Sequence, residues 1–203
     1  MDERNVASGG TRLNDKVDTI AGACAALSAN DLERASEIIN AEYPFTRRHS
    51  TGRSYTPLQS MRVFLRDGFI DRYSGTRLVH PAALRLLAIL IPQAFPAHPN
   101  WKMNESHIAF WELFPTIDHV VPVARGGADG PENWICTSML KNQAKSHWTL
   151  EELGWCLHPR GDIQQWDGLT RWFVEYVETH ISVRDEAYID KWYRASCRAL
   201  AIA

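Results

Sequence analysis

Residues 117–146 read IDHVVPVARGGADGPENWICTSMLKNQAKS, and no other stretch of the chain constrains its fold as much. Thr116 to Val123 is a short β-branched run. Arg125-Gly126-Gly127-Ala128-Asp129-Gly130 has the composition of a turn. Asn133 to Thr137 predicts a second short strand, and Ser138 to Ser146 a helix. The order is therefore strand, glycine-rich loop, strand, helix. Asp118, His119, Asn133 and Asn142 stand out in it, with 14 residues from His119 to Asn133 and 9 more to Asn142. A hairpin with a helix packed on it would bring all four to one place.

The surroundings predict mainly helices. Residues 15–29 and 31–42 read as a helix pair, with Asn30 as an N-cap and Leu32, Ala35, Ile38 and Ile39 as an apolar stripe. A short helix is expected over 58–66, and a hairpin over 69–79 with Ser74-Gly75 at its turn. Pro81 can open a helix that stops before Pro92. Thr149-Leu150-Glu151-Glu152 has the capping-box pattern, and two helices should follow at about 163–180 and 184–200. The fold class expected is α+β and mostly helical. Residues 1–68 form a helical N-terminal region with an arginine-rich loop, 69–155 the core, and 156–203 C-terminal helices packing on it.

Among 203 residues, 45% are hydrophobic and 23% charged, which excludes disorder along the whole chain. The most apolar stretch, Leu78 to Phe95, contains His80, Pro81, Arg85 and Pro92 and does not read as a membrane span. The first ten residues are acidic and polar where a secretory signal is basic and then apolar, so a cytoplasmic protein without a membrane partner is expected. The four cysteines form no C-x-x-C pair and are expected as small core residues.

The net charge of −2 is unevenly distributed. Residues 44–77 hold seven arginines against Asp67 and Asp71, a local excess of five positive charges. Such an excess can serve a polyanion even in a nearly neutral chain. Arg47, Arg48 and Arg53 are its candidates for nucleic-acid contact. The alternative is that these arginines pair with the acidic terminal segments.

The stretch 117–146 resembles the HNH nuclease family, whose core is a ββα-metal fold. The resemblance rests on Asp118-His119, Pro122, Arg125-Gly126-Gly127, Asn133 and Asn142-x-x-Lys145, with Tyr73-Ser74-Gly75 as the upstream edge of the module. It implies a metal-dependent DNA endonuclease leaving 5′-phosphate and 3′-hydroxyl ends. Asp118 and Asn142 map to the metal ligands, hard oxygen donors that suit Mg²⁺ or Mn²⁺. His119 maps to the general base, and imidazole ordinarily titrates near neutral pH. Asn133 would hold that imidazole in position. Arg125 and Lys145 flank the motif as candidate phosphate grips. Many members carry two C-x-x-C pairs binding a structural zinc. Here Ser138 and Lys141 stand at the helix-side positions, so no structural zinc is expected and apolar packing by Trp134, Trp148 and Trp155 should replace it.

The implied partner is double-stranded DNA and the expected context restriction or defence. A homodimer would supply the two active sites that double-strand cleavage often uses. Two alternatives stand beside this reading. One is a homing, phage-packaging or toxin-type nuclease, including one acting on RNA. The other is a DNA-binding protein that keeps the fold without cleavage.

Overall fold

A computed structural model describes residues 14–45 and 54–201. The chain divides into two compact units, residues 1–49 and 50–203. Arg47, Arg48 and Arg53 lie outside the described residues.

The first unit is a helical hairpin of α1 (Asn14–Ser28) and α2 (Leu32–Glu42). Asp31, rather than Asn30, caps α2 by accepting a hydrogen bond from the Arg34 amide at 2.9 Å. Asn30 sits in the turn before it at φ 60°, a left-handed conformation that asparagine tolerates better than most residues. Ala23 and Ala35 are buried between the helices, and Thr19 donates to Glu42 Oε2 at 3.0 Å.

The second unit begins with α3 (Pro57–Arg66). Thr56 and Gln59 form its capping box, and Pro57 occupies the first turn, where no amide is needed. Met61, Phe64 and Leu65, at helical spacing, turn one apolar face inward. That face shares a core with Phe173 and Val177 of α8 (Thr170–Thr179) and with Ile189, Trp192, Ala195 and Ala199 of α9 (Ala187–Leu200). One core thus joins segments that the sequence places in three regions. The compact units divide at 49/50, and the C-terminal helices pack into the core shared by α3 and the sheet.

Between these helices come α4 (Pro81–Leu90) and the short α5 (Ala109–Glu112). Strands β1 (Pro115–His119) and β2 (Trp134–Ser138) form one antiparallel sheet pairing Ile117 with Cys136, Asp118 with Ile135 and His119 with Trp134. Helix α6 (Met139–Lys145) follows directly and packs on β1, and α7 (Leu150–Leu153) is one capped turn. The strand–loop–strand–helix order is therefore present, and the described chain is mostly helical. Among the described residues no helix is long and apolar enough to cross a membrane.

The expected hairpin over 69–79 shrinks to a single bridge, Ile70 to Arg77. Its turn instead docks on the outer edge of β2, where the Arg72 amide donates to the Cys136 carbonyl at 2.9 Å. Two buried carboxylates reinforce this edge. Asp67 accepts from the Cys136 amide at 2.8 Å, and Asp71 from Thr137 Oγ1 at 3.0 Å and the Ser138 amide at 3.1 Å. They satisfy backbone donors that a third strand would otherwise take.

The same edge absorbs part of the arginine excess. Asp67 Oδ1 lies 2.9 Å from Arg66 Nε, 3.1 Å from Arg160 Nε and 3.6 Å from Arg72. Arg77 stacks its guanidinium over Trp166, 4.9 Å from the ring centre. These arginines hold the fold, because a carboxylate sealed from water needs cationic partners.

His80 is completely buried, stacked on Phe173 at 4.5 Å between ring centres. Its Nδ1 accepts from the Ala82 amide at 3.1 Å, so Nε2 carries the proton and donates to Ser196 Oγ at 2.9 Å. Burial lowers its pKa from 6.5 to about 3. Between those values the unfolded chain binds a proton that the folded chain refuses, so stability falls as pH falls through that window. The expected slope from this residue is up to about 1.4 kcal/mol per pH unit. Urea unfolding of the protein and of His80→Gln across pH 4 to 7 checks it. The variant should be less stable at pH 7 but show a shallower acid dependence, and parallel curves would contradict the assignment.

Of the four cysteines only Cys136 is buried, whereas Cys24 and Cys156 are exposed and Cys197 is intermediate. The expectation that all four fill the core therefore holds for Cys136 alone.

Candidate active site

Strand β1 delivers Asp118 and His119 at its end, and α6 straps across it. Thr116 and Asp118 lie on one face of the strand, two residues apart. Asn142 lies against that face, where its Nδ2 donates to Thr116 Oγ1 at 3.0 Å and to the Ile117 carbonyl at 3.2 Å. Because a carbonyl only accepts, this bond fixes the orientation of the amide and leaves Oδ1 pointing elsewhere.

One turn along α6, Lys145 is completely buried. Its ammonium donates to the His119 carbonyl at 2.7 Å and pairs with Asp118 Oδ2 at 3.0 Å. Tyr73 donates to the same carboxylate oxygen at 2.7 Å. Burial, followed by the Asp118 charge, pushes the Tyr73 phenol well above its ordinary pKa, so it remains a donor. Two donors occupy Oδ2, while among the described residues Oδ1 has no partner.

His119 pairs with different neighbours. Its Nε2 lies 2.8 Å from Asp129 Oδ1 and 3.1 Å from Trp134 Nε1, and the indole lies 3.0 Å from the same Asp129 oxygen. An indole N–H can only donate, and the carboxylate can accept from both groups. The consistent arrangement places a proton on His119 Nε2 and directs both N–H groups at Asp129. Nδ1 is then the basic nitrogen, with no partner among the described residues.

The loop between the strands is held from within. Asn133 Oδ1 accepts from the Val121 amide at 2.9 Å, and its Nδ2 donates to the Val121 and Ala128 carbonyls, each at 2.8 Å. Gly126 adopts φ 87°, and a Cβ on Gly127 would stand 1.9 Å from the Val121 carbonyl oxygen. Only glycine lets the loop fold this tightly.

These contacts bear on three expectations. Asn133 was expected on the imidazole, but its carboxamide clamps the loop backbone, so it bears on His119 only through the placement of Asp129. Lys145 was expected to grip phosphate, but it is sealed inside, where Asp118 compensates its charge. Arg125, expected to face a phosphate, is exposed and forms two hydrogen bonds to Glu152, at 2.8 and 3.1 Å, which leave its other guanidinium donors to solvent. Glu152 also accepts from the Thr149 amide, and that bond, followed by Arg125, holds its carboxyl below the usual range.

Tyr73, Asp129 and Trp134 were not singled out as site residues by the sequence. Asp129 sits in an Ala-Asp-Gly turn, whose composition says only that the chain reverses. At the helix-side positions where zinc-binding cysteines stand in the resembling family, Ser138 caps α6 by accepting from the Lys141 amide. The Lys141 ammonium lies over Trp155 at 5.0 Å, and Trp155 packs on Tyr73 at 5.5 Å. Trp148 contributes less, being 40% exposed. Comparison with known family models, curated proteins and solved structures finds no match to this chain.

Proposed function

We propose that this chain is a metal-dependent DNA endonuclease of the HNH type, acting in restriction or defence. The observation that carries this reading is the pairing of two half-sites at the end of one strand. Among the described residues, Asp118 and Asn142 each keep an oxygen unengaged, and His119 is held through Nε2 with Nδ1 left basic. Lys145 joins the two by bonding the Asp118 carboxylate and the His119 carbonyl.

Among the described residues no group of three or more His, Cys, Asp or Glu could hold a metal ion. Asp118 Oδ1 and Asn142 Oδ1 nevertheless fit Mg²⁺ or Mn²⁺, which take one or two protein oxygens and fill the remaining positions with water and substrate phosphate. The metal would neutralise the charge that develops on phosphorus and on the departing 3′ oxygen. His119 Nδ1 takes the proton of the attacking water, while Asp129 fixes the tautomer and steadies the imidazolium that forms. Asn133 keeps Asp129 within reach by closing the loop.

Supercoiled plasmid, modified and unmodified, incubated with Mg²⁺, Mn²⁺ or EDTA and followed by end mapping tests the reading. Cleavage with either metal, 5′-phosphate and 3′-hydroxyl ends, and no cleavage in EDTA are expected. Full cleavage in EDTA, or intact DNA under every condition, would overturn it. The same assay on RNA separates the RNA-active alternative.

A further inference from the structure

Resting on the nuclease reading, we propose that Lys145 keeps the metal site electrically satisfied when it is empty, so that a divalent cation is held only together with a DNA phosphate. At the Asp118 carboxylate, where the metal is expected, the formal charges cancel. Asp118 carries one negative charge, and the buried Lys145 ammonium lies 3.0 Å from its Oδ2. Tyr73 and Asn142 are neutral donors to the same strand. Asp129, the other carboxylate of the site, already receives the His119 and Trp134 N–H groups.

A cation reaching Asp118 Oδ1 therefore meets a single carboxylate already compensated by an ammonium, and it stands within a few ångströms of that ammonium. The repulsion is strengthened because the ammonium is shielded from water. Lys145 cannot swing away, since its side chain is fully enclosed and also bonded to the His119 carbonyl at 2.7 Å. The missing negative charge and the missing ligand oxygen both come with a phosphodiester. Metal and DNA then bind cooperatively, and by linkage each raises the affinity of the other by the same factor.

The test uses the His119→Ala protein, which keeps the Asp118, Asn142 and Lys145 side chains and should cut at least about a hundredfold more slowly. Mn²⁺ is titrated calorimetrically into the free protein and into the protein saturated with a duplex DNA fragment, with a DNA-only blank subtracted. Affinity should rise by at least about tenfold with DNA. Without DNA, Lys145→Met should bind Mn²⁺ at least about tenfold more tightly than the parent protein, because the competing charge is gone. Mn²⁺ should also raise its melting temperature by more than the parent's. A lysine that merely supported the fold would leave Mn²⁺ affinity unchanged or weakened on removal, and that result in a folded variant overturns the inference.

Should Lys145→Met fail to fold, the DNA comparison decides, and equal affinities with and without DNA overturn the inference. Tight Mn²⁺ binding by free protein whose wild-type form still cleaves plasmid also overturns it, but leaves the nuclease reading standing. Absence of Mn²⁺ binding in every condition, with no cleavage by the wild type, overturns both.

Discussion

His119→Ala should lose roughly 10²–10⁴ in the rate of DNA cleavage, the usual worth of a positioned general base. The buried imidazole bonds Asp129 and Trp134 at the end of the sheet and lies outside the central apolar cluster, so the variant should stay folded and lose only part of its stability to denaturant. Its affinity for duplex DNA should also persist, because the ring serves the attacking water and not the phosphate. Single-turnover cleavage and fluorescence anisotropy separate these quantities. Asp129→Asn should lose less, since an amide can still accept one N–H but no longer stabilises an imidazolium. A His119→Ala protein cleaving at the wild-type rate would place the chemistry elsewhere.

Lys145→Met should destabilise the protein by about 3–5 kcal/mol in metal-free buffer. The substitution preserves an unbranched side chain, so the loss is electrostatic and not a cavity. Asp118, whose side chain is 10% exposed, would be left in the interior with only the Tyr73 hydroxyl. The His119 carbonyl would lose its donor as well. Removing both charges together, as Lys145→Met with Asp118→Asn, should recover part of that stability, because replacing a buried ion pair costs less than orphaning one member. Urea melts of the two variants and the wild type give the comparison. A single variant as stable as the wild type would mean that water reaches Asp118.

Much of the architecture was legible because its causes are local. Thr149-Leu150-Glu151-Glu152 closes its capping box within four residues. Pro81 opens α4, and the alternation of β-branched and turn residues marks β1, the loop and β2. Such signals need only hydrogen bonds or periodicity between near neighbours, and the sequence displays them directly. Where they were diluted, the reading overran. The strand expected to reach Val123 ends at His119, because Asn133 draws the Val121 backbone into the loop. The helix expected over 163–180 shortens to 170–179.

What a polar side chain does was decided by partners distant in sequence. Asn142-x-x-Lys145 looks like one turn of a solvated helix, yet both residues reach across 25 or 26 residues to β1, and Lys145 ends up inside. The arginine excess of 44–77 suggested a surface for polyanions, but Arg66 and Arg72 turn inward around Asp67 with Arg160 from a segment more than 80 residues away. The sequence by itself determined which backbone elements form, in what order, and that Asp118, His119 and Asn142 belong to them. Only the tertiary structure decided that Tyr73 and Lys145 share one oxygen of Asp118, and that Asp129 rather than Asn133 holds the imidazole. The reason is physical. Backbone conformation is selected by neighbours a few residues away, whereas a buried charge takes whichever partner the packed chain places within about 3 Å, a distance at which charge-assisted bonds form.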